Sequence, residues 1–188
     1  MRQIQPVLAV LLLTLLVLPG TVVGARNAQQ SFETCSMITS EYLTILQLTG
    51  RGLSAETLSH TLPDISKQAQ KRIDELSRAV DQQGLASVYS SINAEYARCA
   101  KSVYERTGIP HALSRESHFY TCAGENKVRY QVLMSAVVGA AKPDILSQLA
   151  PSQRDAGRTI IELYQSSGAL TVFDKLADEL KFCINNNL

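Results

Sequence analysis

The sequence predicts an all-α fold made of two tandem three-helix units, each clamped by one disulfide bond. Apolar residues recur at spacings of three and four, with no convincing period-two alternation. The chain also aligns with itself, and each aligned copy begins and ends on a cysteine. The predicted divisions are a signal peptide over residues 1–25, a first helical repeat over 26–106, a linker over 107–116 and a second helical repeat over 117–188.

The N-terminal segment has the three-part layout of a secretory signal peptide. Arg2 supplies the positive charge, the run from Val7 to Leu18 is apolar except for Thr14, and small residues lead up to Ala25. An apolar core of 12 residues is short for a membrane span, which takes about 20. The alternative is an uncleaved membrane anchor. We expect cleavage near Ala25, a periplasmic or secreted location, and no stable membrane insertion of the remaining chain.

The charge balance argues against nucleic acid as a partner. Removing residues 1–25 takes away only Arg2 among the charged side chains, so 18 basic and 17 acidic residues become 17 of each. A nucleic-acid-binding protein needs a basic surplus or stripe, and none is visible. The interspersed charges are typical of solvated helix faces.

The repeat appears when the chain is shifted by 87 residues, which places 32–76 over 119–163. Ten of these 45 positions are identical, and the sequence FETC at 32–35 aligns with FYTC at 119–122. A three-residue deletion then changes the offset to 84. Identical pairs across the two offsets include Cys35/Cys122, Leu46/Leu133, Gly52/Gly139, Ile73/Ile160, Glu75/Glu162, Gly84/Gly168, Val88/Val172, Glu95/Glu179 and Cys99/Cys183.

Four cysteines remain after cleavage: Cys35, Cys99, Cys122 and Cys183. An even number in an exported chain favours disulfides, and four cysteines allow three pairings. If each copy is one folding unit, Cys35 pairs with Cys99 and Cys122 with Cys183, while a pairing between the copies stays open. Closing such a loop stabilises a small unit by about 4 kcal/mol in the chain-entropy model.

Each copy is expected to contain three helices separated by glycine and proline. In the first copy, the first helix ends near Gly52, and Ser54 caps a short helical turn that Pro63 interrupts. The second helix runs from Ile65 to the break at Gly84, and the third closes near Gly108. The last residues, around Asn187, are expected to form a frayed polar tail.

Catalysis is not expected, because no catalytic motif is present. A dyad of Cys122 and His118 would require the reduced thiol, and a metal site at His111 and His118 has no further ligands of suitable spacing. Glu75/Glu162 and Glu95/Glu179 recur as carboxylates, which salt bridges inherited with the duplication also explain. We therefore expect no metal and no cofactor.

Two sets of residues are candidates for partner binding. Tyr89, Tyr96 and Tyr104 lie on the third helix of the first copy, and tyrosine is favoured at interfaces. The alternative is that they line the groove between the copies. Glu125 and Arg129 stand where the first copy has Ile38 and Tyr42, and they are either a recognition site or a solvated ion pair.

The leading hypothesis is a non-catalytic exported protein that binds another envelope or extracellular protein, or a peptide, through a helical face. The placement of the cysteines is similar to that in small exported bacterial helical proteins, such as acid-stress chaperones and immunity proteins, although no motif is shared. This resemblance implies an immunity-, inhibitor- or chaperone-like role. The alternatives are a carrier of a small apolar ligand in an interhelical cavity and, less favoured, a hydrolase.

Overall fold

The structure is a computed structural model that describes residues 30–61 and 66–186. All regular structure in these ranges is helical, which confirms the all-α prediction. The helices are α1 (Phe32–Gly50), α2 (Ala55–Thr61), α3 (Lys67–Gln83), α4 (Leu85–Thr107), α5 (Arg115–Val137), α6 (Lys142–Ser147) and α7 (Arg154–Asn185). A 3-10 turn, Pro151–Gln153, precedes α7. The predicted signal peptide with its cleavage site near Ala25, together with Pro63, Ile65 and Asn187, lies outside the described residues.

Serine hydroxyls cap four of the helix N-termini, where backbone N–H groups have no partner within the helix. Ser54 Oγ accepts a hydrogen bond from the backbone N–H of Thr57, so the predicted cap of the short α2 is confirmed. The other three caps are Ser31 at α1, Ser66 at α3 and Ser114 at α5. Local sequence therefore sets where most of these helices begin.

The two disulfides each join a pair of antiparallel helices. Cys35 on α1 is bonded to Cys99 on α4, and Cys122 on α5 to Cys183 on α7. At the other end of this pair, Gly50 at the end of α1 lies beside Leu85 at the start of α4, since a Cβ built on Gly50 would be 3.0 Å from the Leu85 side chain. The two helices therefore run antiparallel. These bonds confirm the predicted disulfides, and the alternative pairing between the copies is wrong. No described cysteine is free.

One hydrophobic core spans both halves of the chain. The inner face of the α1–α4 pair packs against α5 and α7, and α3 covers part of the outer face of α1 and α4. Core residues come from all four central helices and include Leu46, Tyr89, Phe119, Leu133, Val172 and Leu176. A helical unit of this size buries too little apolar surface to be more than marginally stable alone, which explains why the halves share their core.

Gly84 and Gly168 adopt the same unusual backbone conformation. Gly84 separates α3 from α4 with φ 80° and ψ 153°, and Gly168 interrupts α7 with φ 79° and ψ 172°. This region is essentially restricted to glycine because a Cβ clashes with the neighbouring backbone. Each break redirects the chain into the helix that carries the second cysteine of its half.

A polar cluster joins α1 to α7 across the middle of the molecule. The buried Gln47 amide donates hydrogen bonds to Asp174 Oδ1 at 2.8 Å and Asp178 Oδ1 at 2.9 Å, and Lys181 donates to Gln47 Oε1. The hydrogen bond from Gln47 and, after it, the contact with Lys181 Nζ at 3.1 Å lower the pKa of the Asp178 carboxyl below its ordinary value, against the opposing effect of desolvation. The cluster satisfies a buried amide and fixes the position of α1 along α7.

Replacing Gly168 with alanine is expected to lower the free energy of unfolding by about 1–3 kcal/mol, because an L-residue is strained at this φ and ψ. The matched control is Gly124→Ala on α5, where the backbone has no positive φ and an added Cβ meets nothing within 4 Å. There alanine is expected to stabilise the helix by about 0.5–1 kcal/mol. Urea denaturation measures both changes, and equal effects at the two sites would contradict the assigned geometry.

The Asp178 carboxylate predicts a specific acid sensitivity. Because its folded-state pKa lies below the ordinary value of 3.8, it stabilises the fold above that pH, and this contribution is lost as the pH falls through the folded-state pKa. The stability difference between the wild-type chain and Asp178→Asn should therefore be largest near neutrality and shrink below about pH 4. Denaturation at a series of pH values tests this, with exposed Asp81→Asn as control. A pH-independent difference for Asp178→Asn would count against the cluster.

Candidate functional site

An open apolar groove of about 510 Å³ lies on the outer face of the α1–α4 pair, beside α3. Hereafter it is called the first groove. Its apolar lining comes from all three helices and consists mainly of Ile38, Tyr42, Leu76, Ala79, Val88 and Ile92. The volume falls within the range of ligand pockets, about 300–1,000 Å³.

The first groove exists because α1 carries apolar side chains that the core does not fully cover, beside a buried apolar face of α4. Ile38 and Tyr42 lie one helical turn apart on α1, as do Val88 and Ile92 on α4. Val88 and Ile92 are buried and belong to the hydrophobic core, so α4 contributes a buried floor, whereas the Ile38 side of α1 is only partly covered by α3. Ile38 consequently remains 44% exposed.

The disulfide Cys35–Cys99 forms part of the groove lining. Beside it, the buried hydroxyl groups of Ser36 and Tyr96 are 2.7 Å apart and share a hydrogen bond. Burial raises the pKa of Tyr96 to about 12, against the opposing effect of its bond to Ser36. The groove floor is therefore covalently fixed, and its tyrosine is uncharged at neutral pH.

The polar rim of the first groove includes an ion pair on α4. Arg98 donates from Nε and Nη2 to the same oxygen of Glu95, Oε2, at 3.0 and 2.5 Å. Both side chains are about two-thirds exposed, so the pair contributes little to stability. A bound molecule would contact apolar side chains on the floor and, at the edge, the Glu95 carboxylate and the Arg98 guanidinium.

The second half of the chain has a depression at the corresponding positions, about 550 Å³ in volume. Hereafter it is called the second depression. Six residues lining it occupy the positions aligned with six lining the first groove, at the two offsets of the repeat. The pairs are Ile38/Glu125, Tyr42/Arg129, Ser91/Lys175, Glu95/Glu179, Arg98/Phe182 and Cys99/Cys183.

Ion pairs cross the second depression. Arg129 on α5 contacts Glu125 at 2.9 Å and reaches Glu179 on α7 at 3.2 Å. Lys175 lies 3.7 Å from the other oxygen of Glu179. Ion pairs thus line the second depression beside the exposed Phe182, whereas the lining of the first groove is mainly apolar.

The tyrosines named from the sequence fall into two groups. Tyr89 and Tyr96 are each only 2% exposed, and Tyr89 stacks on Phe173 with ring centroids 5.5 Å apart. Both rings are therefore buried and offer little exposed surface, although Tyr96 borders the floor of the first groove; partner contact by these two residues stays a prediction. Tyr89 packs at the junction of the two halves, as the alternative proposed. Tyr104 is 44% exposed and stacks on Tyr120 at 6.2 Å.

The structure brings Glu125 and Arg129 together across one helical turn, as the spacing predicts. The pairing of Arg129 with Glu179 on α7 was not predicted, although the alignment showed that this carboxylate recurs as Glu95. The first groove was not predicted, because periodicity does not show which apolar side chains of a helix its neighbours leave uncovered. The available signal was the alignment, since Ile38 and Tyr42 stand opposite the charged residues Glu125 and Arg129.

The residues considered for catalysis have other partners. Lys142 donates a 2.7 Å hydrogen bond to Glu162, which lowers the pKa of that carboxyl, whereas a general acid requires a raised pKa. His118 Nε2 lies 3.8 Å from Cys122 Sγ, but that sulfur is in a disulfide. Within the described ranges, no group of three or more His, Cys, Asp or Glu side chains is arranged to hold a metal ion.

Comparisons with models of protein families, with curated proteins and with solved structures gave no match. Across residues 30–61 and 66–186, none of the helices has both the length and the apolarity to cross a membrane. Functional inference therefore depends on the first groove and on its contrast with the second depression.

Proposed function

We propose that this chain is an exported, non-catalytic binding protein whose first groove receives the apolar face of a helix from another envelope or extracellular protein. The observation that carries the proposal is the contrast between aligned positions. Ile38 and Tyr42 leave the first groove apolar and open, while Glu125 and Arg129 place ion pairs at the aligned positions of the second depression. Exposed apolar concavities bordered by polar residues mark interaction sites.

An internal duplication and export belong to the same proposal. The disulfides, the two glycine breaks and the two surface concavities all fall at aligned positions, which supports descent from one helical unit. Disulfides persist mainly in oxidising compartments, which supports a periplasmic or secreted location.

The shape of the first groove favours a helix as its occupant. Its floor is the trough between two antiparallel helices, α1 and α4. The opposite face of the same pair is already covered by helices α5 and α7. A helix placed in the first groove would complete the equivalent layer on the outer face, with apolar side chains at i, i+3, i+4 and i+7 directed inward.

The fixed floor also suits binding. A site whose backbone is already held by a disulfide loses little conformational entropy when a partner docks. The Cys35–Cys99 bond lies within the lining and ties α1 to α4 at that point of the trough.

The test is selection of helical peptides from a randomised display library on the folded, oxidised chain beginning at residue 26. Selected peptides should bind the wild-type chain at least about tenfold more tightly than Ile38→Glu, which places a carboxylate in the trough and costs about 1.4 kcal/mol of binding. The matched control is Met37→Glu, because Met37 is 50% exposed on the same helix but does not line the first groove. Titration calorimetry measures the affinities.

If selection yields no helical peptide, or if Met37→Glu weakens binding as much as Ile38→Glu, the first groove is not the binding site. Circular dichroism and a urea denaturation curve for each variant show that the fold is retained. Ile38 is nearly half exposed, so the glutamate is tolerated in the unbound protein.

A bound helix should protect one disulfide and not the other. Cys35 and Cys99 line the first groove, whereas Cys183 lines the second depression. Saturation with a selected peptide is expected to slow reduction of Cys35–Cys99 by a phosphine severalfold and to leave Cys122–Cys183 unchanged. Alkylation during the reaction, followed by mass spectrometry of peptides, gives both rates in one sample. Equal slowing at both bonds would indicate general stabilisation instead of groove occupancy.

A small apolar ligand is the second candidate occupant, favoured by the groove volume of about 510 Å³ and its apolar floor. The open side of the first groove argues for the helix, because carrier sites usually enclose most of the ligand surface. Native mass spectrometry of the protein purified from an envelope fraction distinguishes the two. A bound small molecule that Ile38→Glu releases would favour the carrier function.

A further inference from the structure

The recurring carboxylate at the edge of each concavity indicates the charge of the partner, given the function proposed above. Glu179 in the second depression and Glu95 in the first groove are aligned, but their surroundings differ. Around Glu179, cations reach both oxygens: Arg129 contacts Oε2 at 3.2 Å, and Lys175 lies 3.7 Å from Oε1. The protein thus contains one complete example of how this carboxylate is neutralised across the concavity.

Glu95 lacks both of these cations. The positions of Arg129 and Lys175 are occupied in the first half by Tyr42 and Ser91, which carry no charge. Arg98 contacts only Oε2 of Glu95, and Oε1 accepts no hydrogen bond from any of the described residues. One oxygen at the edge of the first groove is therefore open to a donor from outside the chain.

We infer that the partner helix carries a basic residue, Arg or Lys, beside its apolar face, and that this cation pairs with Glu95 as Arg129 pairs with Glu179. The aliphatic stem of such a side chain would lie over Ile38 and Tyr42 while its charged head remains near solvent. The proposed ligand class is an amphipathic helix with a cationic edge.

An acidic partner that pairs with Arg98 is the opposite possibility, and the alignment disfavours it. Phe182 stands at the position of Arg98 in the second half, so the guanidinium has no counterpart there. The carboxylate is the charge that both concavities have in common. Arg98 also directs two of its nitrogens to Glu95, which leaves it partly neutralised.

The experiment compares peptides from the library selected on the wild-type chain with the composition of the unselected library. Groove-dependent peptides are those that lose affinity for Ile38→Glu. These should be enriched in Arg or Lys at a position flanking the apolar face. Changing that residue to Gln should weaken binding by about fivefold, the upper end expected for an exposed ion pair.

A mutant cycle assigns the contact to Glu95. Glu95→Gln should weaken the binding of the basic peptides by the same factor of about five and leave the affinity of their Gln versions unchanged. The matched control is Glu105→Gln, which removes the same charge from α4 and disrupts a similar exposed pair, with Lys101, away from the first groove. It should change neither affinity.

The outcomes separate the two proposals. Groove-dependent peptides that carry no enriched cation, that are enriched in Asp or Glu, or that are insensitive to Glu95→Gln would overturn the cationic edge and leave the first groove as the binding site. A library that yields no peptide dependent on Ile38 would overturn the proposed function, and this inference with it.

Discussion

The covalent closure of α1 against α4 is the constraint on which the rest of the structure depends. The Cys35–Cys99 bond ties the two antiparallel helices together, and one face of the pair joins the common core while the other forms a trough. A loop of 64 residues closed in this way removes about 4 kcal/mol of chain entropy from the unfolded state in the polymer model. A chain with a shared and modest core needs that contribution.

The two halves share one helical framework but differ in the surface that it carries. In each, a disulfide and a glycine break set the same pair of helices side by side, and in each the outer face carries a concavity. The two concavities differ at two aligned positions. The first half has Ile38 and Tyr42 on α1, where the second half has the charged Glu125 and Arg129 on α5. Buried polar contacts between the halves, such as Asn126 to Asn93 at 2.9 Å, fix their register.

The helical class, the disulfide pairing and the glycine breaks could be predicted because they depend on local pattern and on the repeat. Three-and-four spacing predicts helices, and the aligned cysteines select one pairing. The single shared core could not be predicted, because periodicity shows that a face is apolar without showing which helix covers it. For the same reason Tyr89 and Tyr96 were expected at a surface and lie in the core.

The candidate site was only partly accessible to sequence reasoning. The pair Glu125 and Arg129 followed from helix geometry, and the recurrence of Glu95 and Glu179 was visible in the alignment. The first groove lies between α1, α3 and α4, and the way these three helices pack is a tertiary property. Ile38 is apolar, as core residues usually are, and only the packing of the helices shows that it remains 44% exposed.

The central claim is that the outer face of α1 and α4 is the binding surface, and methyl NMR of isoleucine-labelled, oxidised protein tests it most directly. Titration with a helical peptide selected on the protein should shift the methyl signals of Ile38 and Ile92, in the first groove, and leave those of Ile145 and Ile160, in the second half, unchanged. Shifts confined to the second half, or spread evenly over all isoleucines, would contradict the account.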